Sequence, residues 1–528
     1  MCHPIESLTL TVYKDINMAN WSEGYISDID YTYGYYSELS PHNIKVPFLM
    51  SGLEVPKFTT ACELGFGQGV SINVHSAASD IEWYGTDFNP SQASFAKELS
   101  DISGSHAHIY DQSFSEFCNR DDLPDFDFIG LHGIWSWVSN ENREVIVDFI
   151  RRKLKVGGVL YISYNTLPGW AAASPIRHML TEHDHMYGSR GKGIGKRVED
   201  SIKFTQELLD FSQPLVQQVP SIPQRLKNIS EQNPNYLAHE YFNRDWQPMY
   251  FSEMAGWLSP TKTSFACSAS FLEDYSPCNY TNEQSEFLKK IDDPMFAQSI
   301  KDYMHNKQFR RDYWVKGARK ISSAKLEMTW YQLRFMLITN YQDIKYEING
   351  PVGNVSLHKD IYKQIVDLLS DYKIHKVADL KQELPEDFKQ TWLFESLAIL
   401  HSQGAIVLVQ DDDVINEVKE KCDKLNAYVM QQSLVSPELT VLVSPLTGTA
   451  LSFGRFPLIF LHAYIQGKKK QADWVDYAWQ ALKKNNQLLL KDGNTLQEEK
   501  DNIEELNSMV DSFEKYTLPV AKRLKIVE

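Results

Sequence analysis

At 528 residues, with 43% hydrophobic and 12% aromatic content, the chain carries enough apolar material for large cores and is expected to divide into three or four domains. A formal net charge of −16 argues against a broad basic face for nucleic acid and gives a weak bias towards basic partners. Six scattered cysteines (Cys2, Cys62, Cys118, Cys267, Cys278, Cys422) without a close pair, an N-terminus lacking both a basic region and an apolar core, and no apolar run of membrane-spanning length argue against a metal site, a signal peptide and a membrane span, and predict a cytoplasmic protein with reduced thiols.

The first informative stretch is GYISDIDYTYGYYSELSP, residues 24–41, whose five tyrosines (Tyr25, Tyr31, Tyr33, Tyr35, Tyr36) are too dense for a core stripe alone. Tyrosine suits places where one end stays wet. The segment is expected either to pack on the sheet as an N-terminal helix or to lie over a ligand as a lid, two readings that are compatible. From residue 59 strand and helix patterns alternate: strands over 60–64, 81–86, 107–110, 126–131 and 159–164, with helices over 70–78, 91–99 and 141–154. That alternation predicts right-handed crossovers and a doubly wound parallel α/β sheet, with ligands at the carboxyl ends of its strands.

The first strand ends in TACELGFGQG, an apolar run closing on Glu63 and then Gly65, Gly67 and Gly69, which puts bare backbone against a ligand. Asp87, with Phe88 beside it in GTDFNP, ends the second strand about 20 residues on, where a carboxylate accepts ribose hydroxyls. Asp111, Ser113 and Phe114, in DQSFSEF, follow the third strand and suit an adenine edge and face. His132, Gly133, Trp135 and Trp137 follow the fourth strand, and Tyr164, Asn165 and Trp170 lie at and after the end of the fifth. No Walker lysine follows the glycines, the third glycine of a dinucleotide fingerprint is replaced by Val70, and Glu63 would repel a pyrophosphate while suiting an ammonium. S-adenosylmethionine fits best as the cofactor.

ACELGFGQG, GTDFNP, DQSFSEF, LHGIWSWVS and SYNTLPGW together resemble the class I methyltransferases that carry a methyltransferase regulatory domain, and among them the rickettsial-type outer-membrane-protein lysine methyltransferases. The resemblance is specific over residues 21–275 and only architectural after about residue 320. It implies a seven-stranded Rossmann-like class I methyltransferase domain, S-adenosylmethionine as cofactor, protein lysine as acceptor, possibly on an outer-membrane protein, and a homodimer. It also implies two further strands, one antiparallel, which the pattern puts at 236–242 and 263–270, and makes 182–234 a helical insertion serving dimerisation.

Methyl transfer needs an aligned neutral amine and a dry site. A free lysine of pKa about 10.4 is neutral in only about one molecule in a few thousand at pH 7, so the site must help to shed the proton. The candidates for that work and for aromatic walls are Tyr31, Tyr35, Trp135, Trp137, Tyr164, Asn165, Trp170, His239 and Glu240. A purely structural role is at least as common for any one of them.

The catalytic domain is thus expected over residues 1–275, a helical regulatory segment over 276–345 that includes FRRDYWVKGARK, a winged-helix-like domain over 346–410, and a helical C-terminal domain over 411–528. The 346–410 segment lacks a basic recognition face and reads as a protein-interaction module, so no nucleic acid is expected. Two other classes stay open: a methyltransferase of small molecules, and a non-catalytic S-adenosylmethionine sensor.

Overall fold

The structure is a computed structural model that describes residues 32–528. Its centre is a seven-stranded sheet of β1 (Thr60–Leu64), β2 (Glu82–Thr86), β3 (His108–Tyr110), β4 (Phe126–Leu131), β5 (Leu154–Asn165), β6 (Thr263–Ser268) and β7 (Phe309–Lys316), in the spatial order β3-β2-β1-β4-β5-β7-β6. The first five strands pair in parallel, and β7 runs antiparallel between β5 and β6. This is the class I methyltransferase fold. Its central strands are buried nearly throughout, as expected of parallel strands covered on both faces.

Helices α1 (Lys45–Met50), α2 (Val70–Ala77), α3 (Pro90–Ser103), α4 (Phe114–Cys118) and α5 (Asn140–Lys153) precede or connect these strands. An insertion follows β5, made of α6 (Ser174–Tyr187), α7 (Ile194–Phe211), α8 (Gln213–Gln218), α9 (Ile222–Ser230) and α10 (Pro234–Tyr241), and α11 (Phe251–Leu258) returns the chain to the sheet. The insertion has its own core, in which Leu180 and Val198 meet Leu226 and Leu237.

Two expectations about the end of the sheet are corrected. Residues 236–242, read as a strand, lie largely in α10: Leu237, Ala238, Tyr241 and Phe242 recur with a helical period and all enter the insertion core. The closing antiparallel strand is instead Phe309–Lys316, within the segment read as a helical linker, so the sheet ends well beyond the expected boundary at residue 275. The charges in FRRDYWVK mask the strand. Arg310 and Asp312, two apart on one face, neutralise each other inside the protein at 2.8 Å, with Asp302 as a second carboxylate on Arg310 at 2.6 Å.

Beyond the sheet, Arg334–Leu337, His375–Lys376 and Ile406–Leu408 form a three-stranded antiparallel sheet with helices Lys359–Leu368, Val377–Glu383 and Gln390–Ser402. Its central strand lies upstream of the expected domain start at residue 346. The C-terminal helices Asp412–Gln432, Arg455–Ile465 and Gln471–Lys484 surround a hairpin of Val441–Ser444 and Thr449–Ser452, where the sequence had shown only a break between helices. This region shares one apolar core with the back of α2, joining Val418, Cys422 and Val429 to Val74 and Ala77. Gln410 Nε2 reinforces that seam by donating to the Ala78 carbonyl at 2.9 Å.

Candidate functional site

The carboxyl ends of β1 to β4 open into one pocket, lined from the sheet by Glu63, Gly65, Gly67, Asp87, His132 and Gly133 and closed by Tyr36, Phe88, Phe114, Ile134 and Trp137. It lies where the strand order reverses between β1 and β4, the switch point at which open α/β sheets bind ligands.

The glycine turn is built for close approach. Gly65, Gly67 and Gly69 all have positive φ. A Cβ on Gly65 would come within 2.5 Å of Ile134 Cδ1, and one on Gly69 would overlap Ala96. Gly65 N–H donates to the Thr86 carbonyl at 2.8 Å, which ties the turn to β2. Gly69 does not line the pocket; it caps α2 and lets α3 approach it.

Asp87 grips that turn from the end of β2. One carboxylate oxygen accepts the Gly67 N–H at 2.9 Å and the other the Asn89 N–H at 3.0 Å. Each oxygen keeps a lone pair for a ligand hydroxyl. Burial pushes its pKa up to about 6 against the pull of the two N–H donors. Glu63 is only 3% exposed, and its Oε2 has no hydrogen-bond partner in the protein. Burial first, then the charge of Asp87, pushes its pKa up to about 8. A buried carboxyl kept unsatisfied at a pocket floor matches a cationic ligand group, which would restore both its charge and its hydrogen bond.

His132 closes the far side of the floor. Its Nδ1 shares a 2.8 Å hydrogen bond with the Tyr161 hydroxyl, and burial, with the Arg311 charge behind it, lowers its pKa to about 3. It is neutral at physiological pH. Gly133 N–H donates to Ser163 Oγ at 2.8 Å. Ser113 caps α4 in a reciprocal box with Glu116, which fixes Phe114 at the helix start. The buried Trp137 Nε1 lacks an acceptor in the protein.

Several expected residues lie elsewhere. Asp111 is exposed and outside the pocket lining, and its neighbour Gln112 takes the place. Trp135 is fully buried in the core beneath the sheet, its Nε1 against Met249 sulfur at 3.3 Å. Tyr164 is buried too, donating to Asp312 Oδ2 at 3.1 Å. Asn165 donates its backbone N–H to Ser136 Oγ at 2.8 Å on the same inner side. Trp170 belongs to the insertion core, edge-on to Trp246. Tyr35 points away, its hydroxyl accepting the Ala450 N–H at 3.0 Å. Tyr31 lies outside the described residues. His239 and Glu240 sit on α10 and do not line the pocket, although burial pushes Glu240 up to about 7.

Gln92, Gln112 and Asp245 line the pocket without having been singled out for it, and Tyr36 lines it although only Tyr31 and Tyr35 of the tyrosine-rich segment had been chosen as site candidates. The signal for Tyr36 was present in YTYGYY: in extended chain alternate residues face opposite sides, so Tyr33 and Tyr35 turn one way and Tyr36 the other. Asp245 had no local signal, because the insertion delivers it from far along the chain.

A family model described as a predicted methyltransferase regulatory domain matches residues 233–316. The uncharacterized protein sll1526 of Synechocystis is 35% identical over 511 residues, covering 96% of this chain and 99% of that protein. The uncharacterized protein RP789 of Rickettsia prowazekii is 24% identical over 299 residues, 54% of this chain and 52% of that one. Among solved structures, PKMT2 from Rickettsia typhi in complex with AdoHcy superposes with a TM-score of 0.67 over 94% of this chain and 100% of that one, at 17% identity. That is a likeness of fold along almost the whole molecule.

Proposed function

This chain belongs to the family of the Synechocystis protein sll1526, and on that premise we propose that it is an S-adenosylmethionine-dependent methyltransferase acting on lysine side chains of a protein. The observation that carries the cofactor is the unsatisfied Glu63 carboxyl beside the bare turn at Gly65 and Gly67, with Asp87 adjoining. Glu63 and the turn would take the ammonium end, Asp87 the ribose hydroxyls, and Ser113, Phe114 and Ile134 the adenine. When bound, the cofactor supplies an electrophilic sulfonium methyl, whose transfer to a nitrogen lone pair leaves S-adenosylhomocysteine and releases one proton.

The chain's own residues orient and exclude water. Asp87 fixes the turn by accepting the Gly67 N–H, so the backbone is shaped before a ligand arrives. His132, neutral and held by Tyr161, adds no positive charge beside a cationic centre. Tyr36 and Trp137 give the pocket aromatic walls, which favour cations and keep the amine desolvated. Lysine as acceptor is supported by the residue motifs and by a carboxyl group in the pocket wall, Asp245. The homodimer expected from the resemblance belongs to the same proposal.

The test is transfer of labelled methyl from S-adenosylmethionine to whole-cell extract, followed by identification of the labelled residue. Label on protein lysine is the expected outcome. Label confined to a small metabolite would replace the protein acceptor while keeping the cofactor.

A further inference from the structure

Tyr36 is held at the pocket by groups drawn from distant parts of the chain. Its N–H donates to Ser71 Oγ at 2.9 Å, and its carbonyl lies 3.3 Å from His75 Nε2, both on α2. Its ring stacks on the His132 imidazole with centroids 3.5 Å apart and planes 19° from parallel. A Cβ added to Gly34 would come within 2.5 Å of the Tyr36 hydroxyl, so the ring fills space that only glycine leaves free. Two residues on, Glu38 pairs with Arg311 at 2.5 Å, and its carbonyl accepts the Tyr313 hydroxyl at 2.7 Å, both on β7.

The adjacent residue faces the other way. Tyr35 accepts the Ala450 N–H from the C-terminal hairpin at 3.0 Å and packs at 5.5 Å on the His75 ring, while Tyr33 and Tyr35 join the apolar core shared with the C-terminal domain. The C-terminal domain contributes none of the described lining residues, yet it holds the neighbour of one of them.

We propose that Tyr36 is the wall of the transfer site on the side where the acceptor amine approaches, and that Tyr35 is its positioning residue, so that the C-terminal domain sets the shape of the pocket. This rests on the methyltransferase reading. Ser71 opens α2 just after the glycine turn and His132 follows β4, so Tyr36 spans the junction of β1 and β4, the end of the pocket assigned to the ammonium and sulfonium. An aromatic face there excludes water and packs against the incoming neutral amine. A ring displaced by an ångström leaves cofactor binding to the strand ends intact and misaligns the acceptor.

The test compares full-length wild type with Tyr36→Ala, Tyr36→Phe, Tyr35→Phe and Gly34→Ala. Methyl incorporation into whole-cell extract is followed while S-adenosylmethionine is titrated, and S-adenosylhomocysteine affinity is measured by calorimetry. Tyr36→Ala is expected to lower the maximal rate about tenfold or more, with the KM for cofactor and the calorimetric affinity within about threefold of wild type. Tyr36→Phe, which keeps the ring, restores most of the rate. Tyr35→Phe and Gly34→Ala lower the rate in the same pattern although neither side chain touches the pocket. Unchanged turnover in Tyr36→Ala would overturn the wall, and unchanged turnover in both Tyr35→Phe and Gly34→Ala would overturn the positioning. A wild-type chain that neither binds S-adenosylhomocysteine nor transfers methyl would overturn the reading underneath, a result distinguishable from the other two.

Discussion

The glycine turn and the Tyr36 wall line one pocket and are held in different ways. The turn is secured within the sheet domain: Gly65 bonds to Thr86, Gly67 to Asp87, and Gly69 packs on Ala96. The wall is secured by α2, by β7 and, through Tyr35, by a hairpin 415 residues further along the chain. A binding floor made of short-range contacts forms with its own domain. A wall made of long-range contacts answers to whatever happens to the rest of the molecule, so the two should respond separately to mutation.

The largest effect on the floor is expected from Asp87→Ala. It removes the ribose acceptor and leaves the Gly67 and Asn89 N–H groups without their partner, so S-adenosylhomocysteine affinity in calorimetry should fall by about 100-fold or more, the loss of about 3 kcal/mol of charge-assisted bonding. Affinity at the wild-type level would refute the cofactor placement. Next in size is Gly69→Ala, which combines left-handed backbone strain with overlap on Ala96. It should cost about 2–4 kcal/mol of stability in denaturant unfolding, and a neutral result would mean that α2 and α3 can part without penalty.

Glu63→Gln sharpens the comparison through pH. Because the folded protein holds the Glu63 proton up to about pH 8 whereas an unfolded chain releases it near 4.3, the native state binds more protons in that window and wild-type stability falls as pH rises through it. The variant escapes that loss. It should be more stable than wild type by about 4 kcal/mol at pH 8 and nearly equal at pH 4, while binding S-adenosylhomocysteine more weakly; equal melting curves at pH 8 would remove the buried-acid argument. The smallest effect is expected from Asp111→Ala, exposed and outside the lining: affinity should stay within about twofold, and a large loss would return this residue to the adenine site.

The residues that were legible in the sequence share one property: their positions follow from strand ends. Glu63, Asp87, Ser113 and His132 each follow or close a short strand of the sheet, and parallel pairing alone brings those ends together. Trp135 and Tyr164 sit at strand ends too, yet the pleat and the turn after β4 send them inward to Met249 and Asp312. No count along the chain distinguishes the two directions. The β7 strand was hidden for another reason: Arg310 and Asp312 make FRRDYWVK read as solvated, and only the fold shows that they neutralise each other where water is absent.

What the amino-acid sequence determines by itself is the doubly wound sheet, the glycine turn and the carboxylate at the end of β2, because alternating periodicity, positive-φ glycines and a fixed spacing are local properties. What only the tertiary structure decides is which aromatic faces the pocket, where the sheet ends, and that the C-terminal domain reaches the site through Tyr35. Those depend on contacts between segments hundreds of residues apart, whose geometry is set by packing and leaves no periodic trace in the chain.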